Sequence, residues 1–468
     1  MPYAGVGAIA SVVDHLRSGA RLLALFFALS WLGCAQTLGP QPSAAGPSRR
    51  PDPLIAKIAS DVSEERVESV LRKLESFETR NTLSDPSQTN RGIGAARQWI
   101  LQEFKSYSPR LQVSFDTHTI PKGGRVWKEV ELRNVVAILP GKVATNRWIM
   151  ISGHYDTLNL KVPDAMKSHP EQAAELRAPG VCDDGSGTAC VLECARVLSQ
   201  HEFDATLVFV AFAGEEQGLV GARAMAKRLR DQKQPIEALL NNDIVGTDTS
   251  GNGVKDSGRV LVFSEEPNDS ASRQIARFIR EVARQYSPEF HAELIFRHDR
   301  FGRGGDHTAF NQEGFAAVRF TTPAENFAHQ HAASDTLTNM SVPYTTRVIR
   351  LNAAAAAALA LAPKPPVTRG PAGGRGPGLT RGSGYDAVLK WDHTSPEPDL
   401  AGFKVVTRST TSPDWEREIW VGNVREFTLK NTPIDQIVIG VKAVDRDGHE
   451  SLVSPYVTEP RRSETRPE

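Results

Sequence analysis

Thr206-Leu207-Val208-Phe209-Val210-Ala211-Phe212-Ala213-Gly214-Glu215-Glu216 is the stretch on which the fold turns. Leu207 to Phe212 are apolar without alternation, so both faces of this strand are buried, as in a parallel sheet covered by helices on each side. The run then stops at a glycine and two carboxylates. Upstream, Val135–Leu139 and Trp148–Ser152 read as strands and Gly187–Leu198 as a helix. Farther back, Val67, Val70, Leu71 and Leu74 mark a helix over 64–77, and Ala96, Trp99, Ile100 and Phe104 another over 95–107. Downstream, strands at Ala238–Leu240 and Ala317–Phe320 precede an alanine-rich helix over 346–362. Strands alternating with helices predict a three-layer α/β/α domain on a mainly parallel mixed sheet.

The rest of the 468 residues divides by composition. Arg17 and Arg21 precede an apolar run from Leu22 to Leu32, about the length of a signal-peptide core and too short to span a bilayer. It ends in Leu32-Gly33-Cys34-Ala35, which resembles a bacterial lipoprotein signal. Residues 1–34 are therefore expected to export the chain to the periplasm, cell envelope or exterior. A lipid on Cys34 would attach it to a membrane. Residues 35–51 read as a tether, 52–363 as the α/β domain and 364–384 as a Gly/Pro/Arg linker. Period-2 runs then indicate a small all-β sandwich over 385–458, followed by a charged tail, 459–468. Lys plus Arg and Asp plus Glu each number 55, which gives no sign of a nucleic-acid partner. No partner protein is evident. Cys190 and Cys194 lie one helical turn apart and are expected as small buried hydrophobes.

The chemistry gathers where the strands stop. Trp148–Ser152 runs into Gly153-His154-Tyr155-Asp156, Thr206–Phe212 into Glu215-Glu216, and Ala238–Leu240 into Asn241-Asn242-Asp243. Ala317–Phe320 leads through a loop to His329-Gln330-His331, and Asp183 sits in Gly180-Val181-Cys182-Asp183-Asp184-Gly185, just before a helix. The crevice of an open α/β sheet lies beyond the carboxyl ends of its strands. His154, Asp183, Glu216, Asp243 and His331 thus meet at one edge, in a nitrogen and oxygen environment suited to zinc. Five ligands with one carboxylate shared provide three for each of two ions. Glu215, beside a ligand but pointing elsewhere, is the expected general base. Asp156 is expected to accept the second N–H of His154 and fix its tautomer. Singly, a strand-end acid is an ordinary cap or turn residue; the ordered set is what points to metal.

The series Gly153-His154-Tyr155-Asp156-Thr157, Val181-Cys182-Asp183-Asp184-Gly185-Ser186-Gly187, Gly214-Glu215-Glu216-Gln217-Gly218, Asn242-Asp243 and His331-Ala332-Ala333-Ser334-Asp335-Thr336 resembles metallopeptidase family 28. The resemblance covers roughly 52–363. It implies one zinc on His154, Asp183 and Asp243, a second on Asp183, Glu216 and His331, and an aminopeptidase acting on peptides. It selects His331 over His329, because Asp335 follows His331 at the family's spacing. The loop from Gly302 to Phe310 resembles one bordering the substrate, with Arg303 expected to pair with Asp306 and His307 left open between a supporting and a purely structural place. His169, His201, His291 and His298 have no motif around them. Leu389-Lys390-Trp391-Asp392, Asp399-Leu400-Ala401-Gly402-Phe403 and Gly440-Val441-Lys442-Ala443-Val444-Asp445 look like a fibronectin type III domain with Trp391 in its core. Alternatives on the same scaffold are a carboxypeptidase, with Arg300 and Arg303 as candidates for the substrate carboxylate, and a glutaminyl cyclase, which needs one zinc. A non-catalytic surface-binding protein would lack the base or a ligand, and all six residues are present.

Overall fold

The computed structural model describes residues 46–47, 50–299, 303–370, 380–381, 386–394 and 397–457. The expected signal segment with Cys34, most of the tether, Arg300 and the tail lie outside the described residues.

Three helices open the described chain: α1 (Pro53–Ser60), α2 (Glu64–Glu75) and α3 (Gly92–Tyr107). Ser63 caps α2 by accepting from the Arg66 N–H, and Val67, Val70, Leu71 and Leu74 form its buried stripe. The strands β1 (Gln112–Ile120), β2 (Val130–Leu139), β3 (Ala144–His154), β4 (Ala205–Phe212), β5 (Ile236–Asn242), β6 (Arg259–Ser264), β7 (His291–Phe296) and β8 (Ala317–Thr321) build one sheet in the order β1-β2-β4-β3-β5-β8-β6-β7. Its centre, β4-β3-β5-β8, is wholly parallel, whereas β2 joins β4 and β6 joins β8 antiparallel. Every residue of β4 is buried, as the unbroken apolar run required.

Helices α4 (Ser186–Leu198), α5 (Val220–Asp231), α6 (Ala271–Tyr286), α7 (Asp306–Gln312) and α8 (Val342–Leu361) complete the layers. α4 and α8 share the larger core with α1 to α3, while α5 and α7 pack on the opposite face around Val208, Val210, Phe212 and Leu239. None of the described helices is long and apolar enough to cross a membrane. Cys190 and Cys194 are buried and unbridged, as expected.

The linker expectation needs correction at both ends. Val367–Arg369 (β9) and Thr380–Arg381 (β10) are strands, and both pair antiparallel with β11 (Ala387–Asp392). A proline-rich segment is tolerated there because it lies at a sheet edge. β14 (Glu426–Leu429) flanks β11 on its other side, and β12 (Leu400–Ser409), β13 (Arg417–Gly422), β15 (Ile437–Asp445) and β16 (Ser454–Tyr456) form a second small antiparallel sheet. The two sheets share one core, with Trp391 against Phe403 at a ring separation of 5.5 Å.

The β-module docks on α6 within one compact unit. Arg280 and Arg284 pair with Asp414 at 3.2 and 2.8 Å, Arg277 Nε donates to the Pro413 carbonyl at 2.7 Å, and Trp415 Nε1 donates to Gln274 Oε1 at 3.2 Å. These side chains recur every three to four residues, so one stripe of α6 carries the interface.

Candidate metal centre

β3, β4, β5 and β8 are parallel neighbours, so their carboxyl ends open on the same side. His154 ends β3, Glu215 and Glu216 follow β4, Asp243 follows β5, and the loop after β8 brings back His331. Asp183 arrives on the turn before α4. Among the described residues, two groups have donor atoms close enough to share an ion: His154, Asp183 and Asp243, and Asp183, Glu216 and His331, all within 4.8 Å of one another in each group. Asp183 belongs to both. His154 Nε2 lies 3.2 Å from Asp183 Oδ1 and 3.9 Å from Asp243 Oδ1. His331 Nε2 lies 2.9 Å from Asp183 Oδ2 and 3.1 Å from Glu216 Oε1. His329 turns away, its Nδ1 3.0 Å from Ser334 Oγ.

The donors suit a divalent cation. Glu216 Oε1 is buried, and its approach to His331 is out of line for a hydrogen bond. Burial pulls both imidazoles toward neutrality, but Asp156 and Asp183 hold His154 well above its ordinary value, and Asp183 and Glu216 carry His331 to about 11. The carboxylates thus bind positive charge strongly. Burial and Asp183 raise Glu216, with His331 opposing. Burial, opposed by His154 and reinforced by Asp243, Glu216 and Asp306, places Glu215 well above the carboxylate range. Two imidazoles and three carboxylates form a set that fits zinc and needs no redox chemistry.

Asp156 is placed differently from expectation. His154 Nδ1 donates to the backbone carbonyl of Asp156 at 3.1 Å, and the Asp156 carboxylate is 3.6 Å away. The tautomer is set all the same, leaving Nε2 toward the other donors. The carboxylate instead accepts from the Glu215 and Glu216 amides at 3.2 and 3.3 Å and from Thr82 Oγ1 at 3.1 Å, anchoring the turn that carries both glutamates.

Several supporting residues had no clear signal in the chain. Asp184 accepts from the His154, Gly187 and Ile244 amides at 3.1, 2.8 and 3.2 Å, tying together the ends of β3, α4 and β5. Asp335 accepts from the Cys182 and Asp183 amides, both at 2.9 Å, and burial pushes it up to about 7 against those bonds. Gln330 Nε2 donates to Asp183 Oδ2 at 2.9 Å, and Arg319 Nη2 sits 3.2 Å from Asp243 Oδ1. Buried Arg80 donates to the carbonyls of Tyr155, Pro179 and Gly180 beneath the site. Only Asp335 could have been found beforehand, through its spacing from His331. The expected Arg303–Asp306 pair is not formed: Arg303 Nη1 binds Glu325 Oε1 at 2.8 Å, while both Asp306 carboxylate oxygens are buried without a hydrogen bond. His307 is buried, its ring nitrogens unpartnered, and burial lowers it to about 3.

Residues 134–356 match peptidase family M28. A probable zinc metalloprotease of Pyrenophora teres f. teres is 34% identical over 91% of this chain and 92% of its own. Another from Pyricularia oryzae is 35% identical over 89% of this chain and 88% of its own. In structure, the LapA aminopeptidase of Legionella pneumophila aligns with a TM-score of 0.52 at 20% identity, over 68% of this chain and 77% of that one. The glutaminyl cyclase of Macrostomum lignano aligns at 0.50 and 16%, over 68% and 94%. Those two likenesses speak for the fold alone; with its near full-length likeness to zinc metalloproteases, the chain belongs to peptidase family M28 and is a zinc metallopeptidase.

Proposed function

We propose that this peptidase holds two zinc ions and removes residues from the amino terminus of peptides. The observation that carries the reading is the sharing of Asp183 by two donor triads, whose Asp183, Glu216, Asp243 and His331 line one cleft with Glu215. Three protein donors per ion leave positions open, as in catalytic zinc sites. Zinc held there supplies Lewis-acid activation of water and of the scissile carbonyl. Glu215, outside both triads, takes the proton of the attacking water on its carboxylate and passes it to the leaving nitrogen. Asp156 keeps that carboxylate in place through the backbone of the Glu215–Glu216 turn. The floor made by Asp183, Glu215, Glu216 and Asp243 is acidic and suits a free ammonium group. In the same reading, segment 1–34 exports the chain, Cys34 can carry a lipid anchor, and 385–458 is a fibronectin type III-like module.

Zinc content and a peptide panel test this. Purified protein is expected to hold about two zinc ions per chain, lose activity to a chelator and regain it with zinc, in keeping with a two-metal hydrolase. Peptides with a free amino terminus should be cleaved and their N-acetylated forms should not. A single zinc with cyclisation of N-terminal glutamine would replace this reading by the cyclase. Cleavage of N-blocked peptides from the carboxyl end would replace it by a carboxypeptidase.

A further inference from the structure

The cleft over the candidate centre encloses about 830 Å³ and is lined by four arginines: Arg125, Arg223, Arg303 and Arg319. Two are matched by acids. Arg319 is buried against Asp243 and Asp299, and Arg303 pairs with Glu325. The other two are exposed and form no ion pair with a carboxylate among the described residues. Arg125 Nη1 donates to the Glu216 carbonyl at 3.1 Å. Arg223 Nε donates to the Gly218 carbonyl at 3.2 Å, and its Nη1 to Gln312 Oε1 at 2.9 Å. Both guanidiniums therefore flank one turn, on carbonyls two residues apart, with several N–H donors each to spare.

The cleft is thus divided in charge, with carboxylates on its floor and two uncompensated guanidiniums on one wall. We infer that Arg125 and Arg223 bind a substrate carboxylate on the leaving-group side of the scissile bond. The preferred substrates are then short peptides carrying an anionic group within a residue or two of the cut. A guanidinium pair recognises carboxylate geometry specifically and attracts it over distance. The carboxylate can be a peptide's own C-terminus or an Asp or Glu side chain. This rests on the peptidase reading above and adds its substrate class.

Three peptides on the full zinc-loaded chain separate the cases: Leu-Gly, Leu-Gly-amide and Leu-Asp-amide. Wild type should favour a carboxylate-bearing peptide over Leu-Gly-amide by about tenfold or more in kcat/KM, through KM, with the preference shrinking as salt rises. Preference for Leu-Gly identifies the chain terminus, and preference for Leu-Asp-amide the side chain. In Arg125→Gln/Arg223→Gln the ratio should fall toward one, and the Lys variants should restore part of it. If Arg125→Gln lowers zinc content through its bond to Glu216, Arg223→Gln alone carries the comparison. An equal ratio in wild type and variant, or no preference in wild type, overturns the inference. Calorimetric binding of the three peptides to Glu215→Gln reads the preference without turnover. A preference there without turnover in wild type would refute the peptidase reading and uphold the arginine site.

Discussion

At the residue scale, adjacent glutamates divide the labour. Glu215 and Glu216 leave β4 on one turn, both amides held by Asp156, yet only Glu216 reaches His331. Glu215→Gln is therefore expected to keep its zinc and lose rate by about 100- to 10,000-fold, because an amide cannot accept the water's proton. Glu216→Gln should lose zinc from one triad, with partial rescue by added zinc. Asp183→Ala should be the most damaging, since both triads lose a donor. Zinc content measured beside kcat for the three variants checks this. The reverse pattern, with zinc lost from Glu215→Gln and kept in Glu216→Gln, would exchange the two roles. Of the five clustered side chains, His154, Glu216 and Asp243 were legible because each sits within a few residues of a strand end, and Asp183 and His331 because of the motifs around them. The reach of the Asp156 carboxylate was not, because it depends on how the turn after β4 folds back over β3.

At the element scale, the site depends on how tightly α4 begins. Gly153, in β3, and Gly187, in the first turn of α4, meet backbone to backbone. A Cβ on Gly187 would lie 2.2 Å from both the Asn242 carbonyl and Asp184 Oδ2, and one on Gly153 would lie 2.6 Å from the Gly187 carbonyl carbon. Asn242 adjoins Asp243 in the chain, and Asp184 adjoins Asp183 and accepts from the His154 amide, so a shift of either disturbs the donors. Gly187→Ala is expected to cost about 1–3 kcal/mol through overpacking and to weaken zinc retention along with Tm. Thermal melts with and without added zinc check it; an unchanged Tm would mean that α4 shifts freely. The short glycine-rich motif marked a tight backbone, but not which strand pressed on it.

At the scale of the whole molecule, the β-module and the catalytic part are joined by charge. His449 lies between Asp445 of its own module, at 2.8 Å, and Asp52, which caps α1, also at 2.8 Å. Arg50, Tyr286, Asp447 and Glu450 line the surrounding cavity. Burial lowers His449, but the two aspartates outweigh it and lift the imidazole to about 9 from its ordinary 6.5. A group raised on folding contributes stability that is complete below the unfolded value and lost as pH rises through the folded one. Stability should thus fall between about pH 6.5 and 9, by at most about 3 kcal/mol from this group. Melting curves across that range should be flatter for His449→Gln than for wild type, and parallel curves would refute the bridge. Among the described residues none beyond His331 lines the cleft, so the effect of this junction is expected on stability.

By itself the sequence determined the layered α/β class, the order of the strands that end in chemistry, and the five side chains that cluster at one edge of the sheet. Those features are local: an apolar run, a stop and a charged residue beyond it, or a short motif around Asp183 or His331. Parallel topology then brings such ends to one side without any knowledge of side-chain contacts. The tertiary structure alone decided what holds the donors in place. Asp184, Arg80 and Arg319 act across separations of 30 to 76 residues, for which no periodicity in the chain speaks. It also decided that Arg303 turns to Glu325, that Arg125 and Arg223 pair with no acid among the described residues, and that a proline-rich segment joins a sheet as β9. Each outcome is a pairing between distant segments, settled by which groups must be satisfied once the chain is packed.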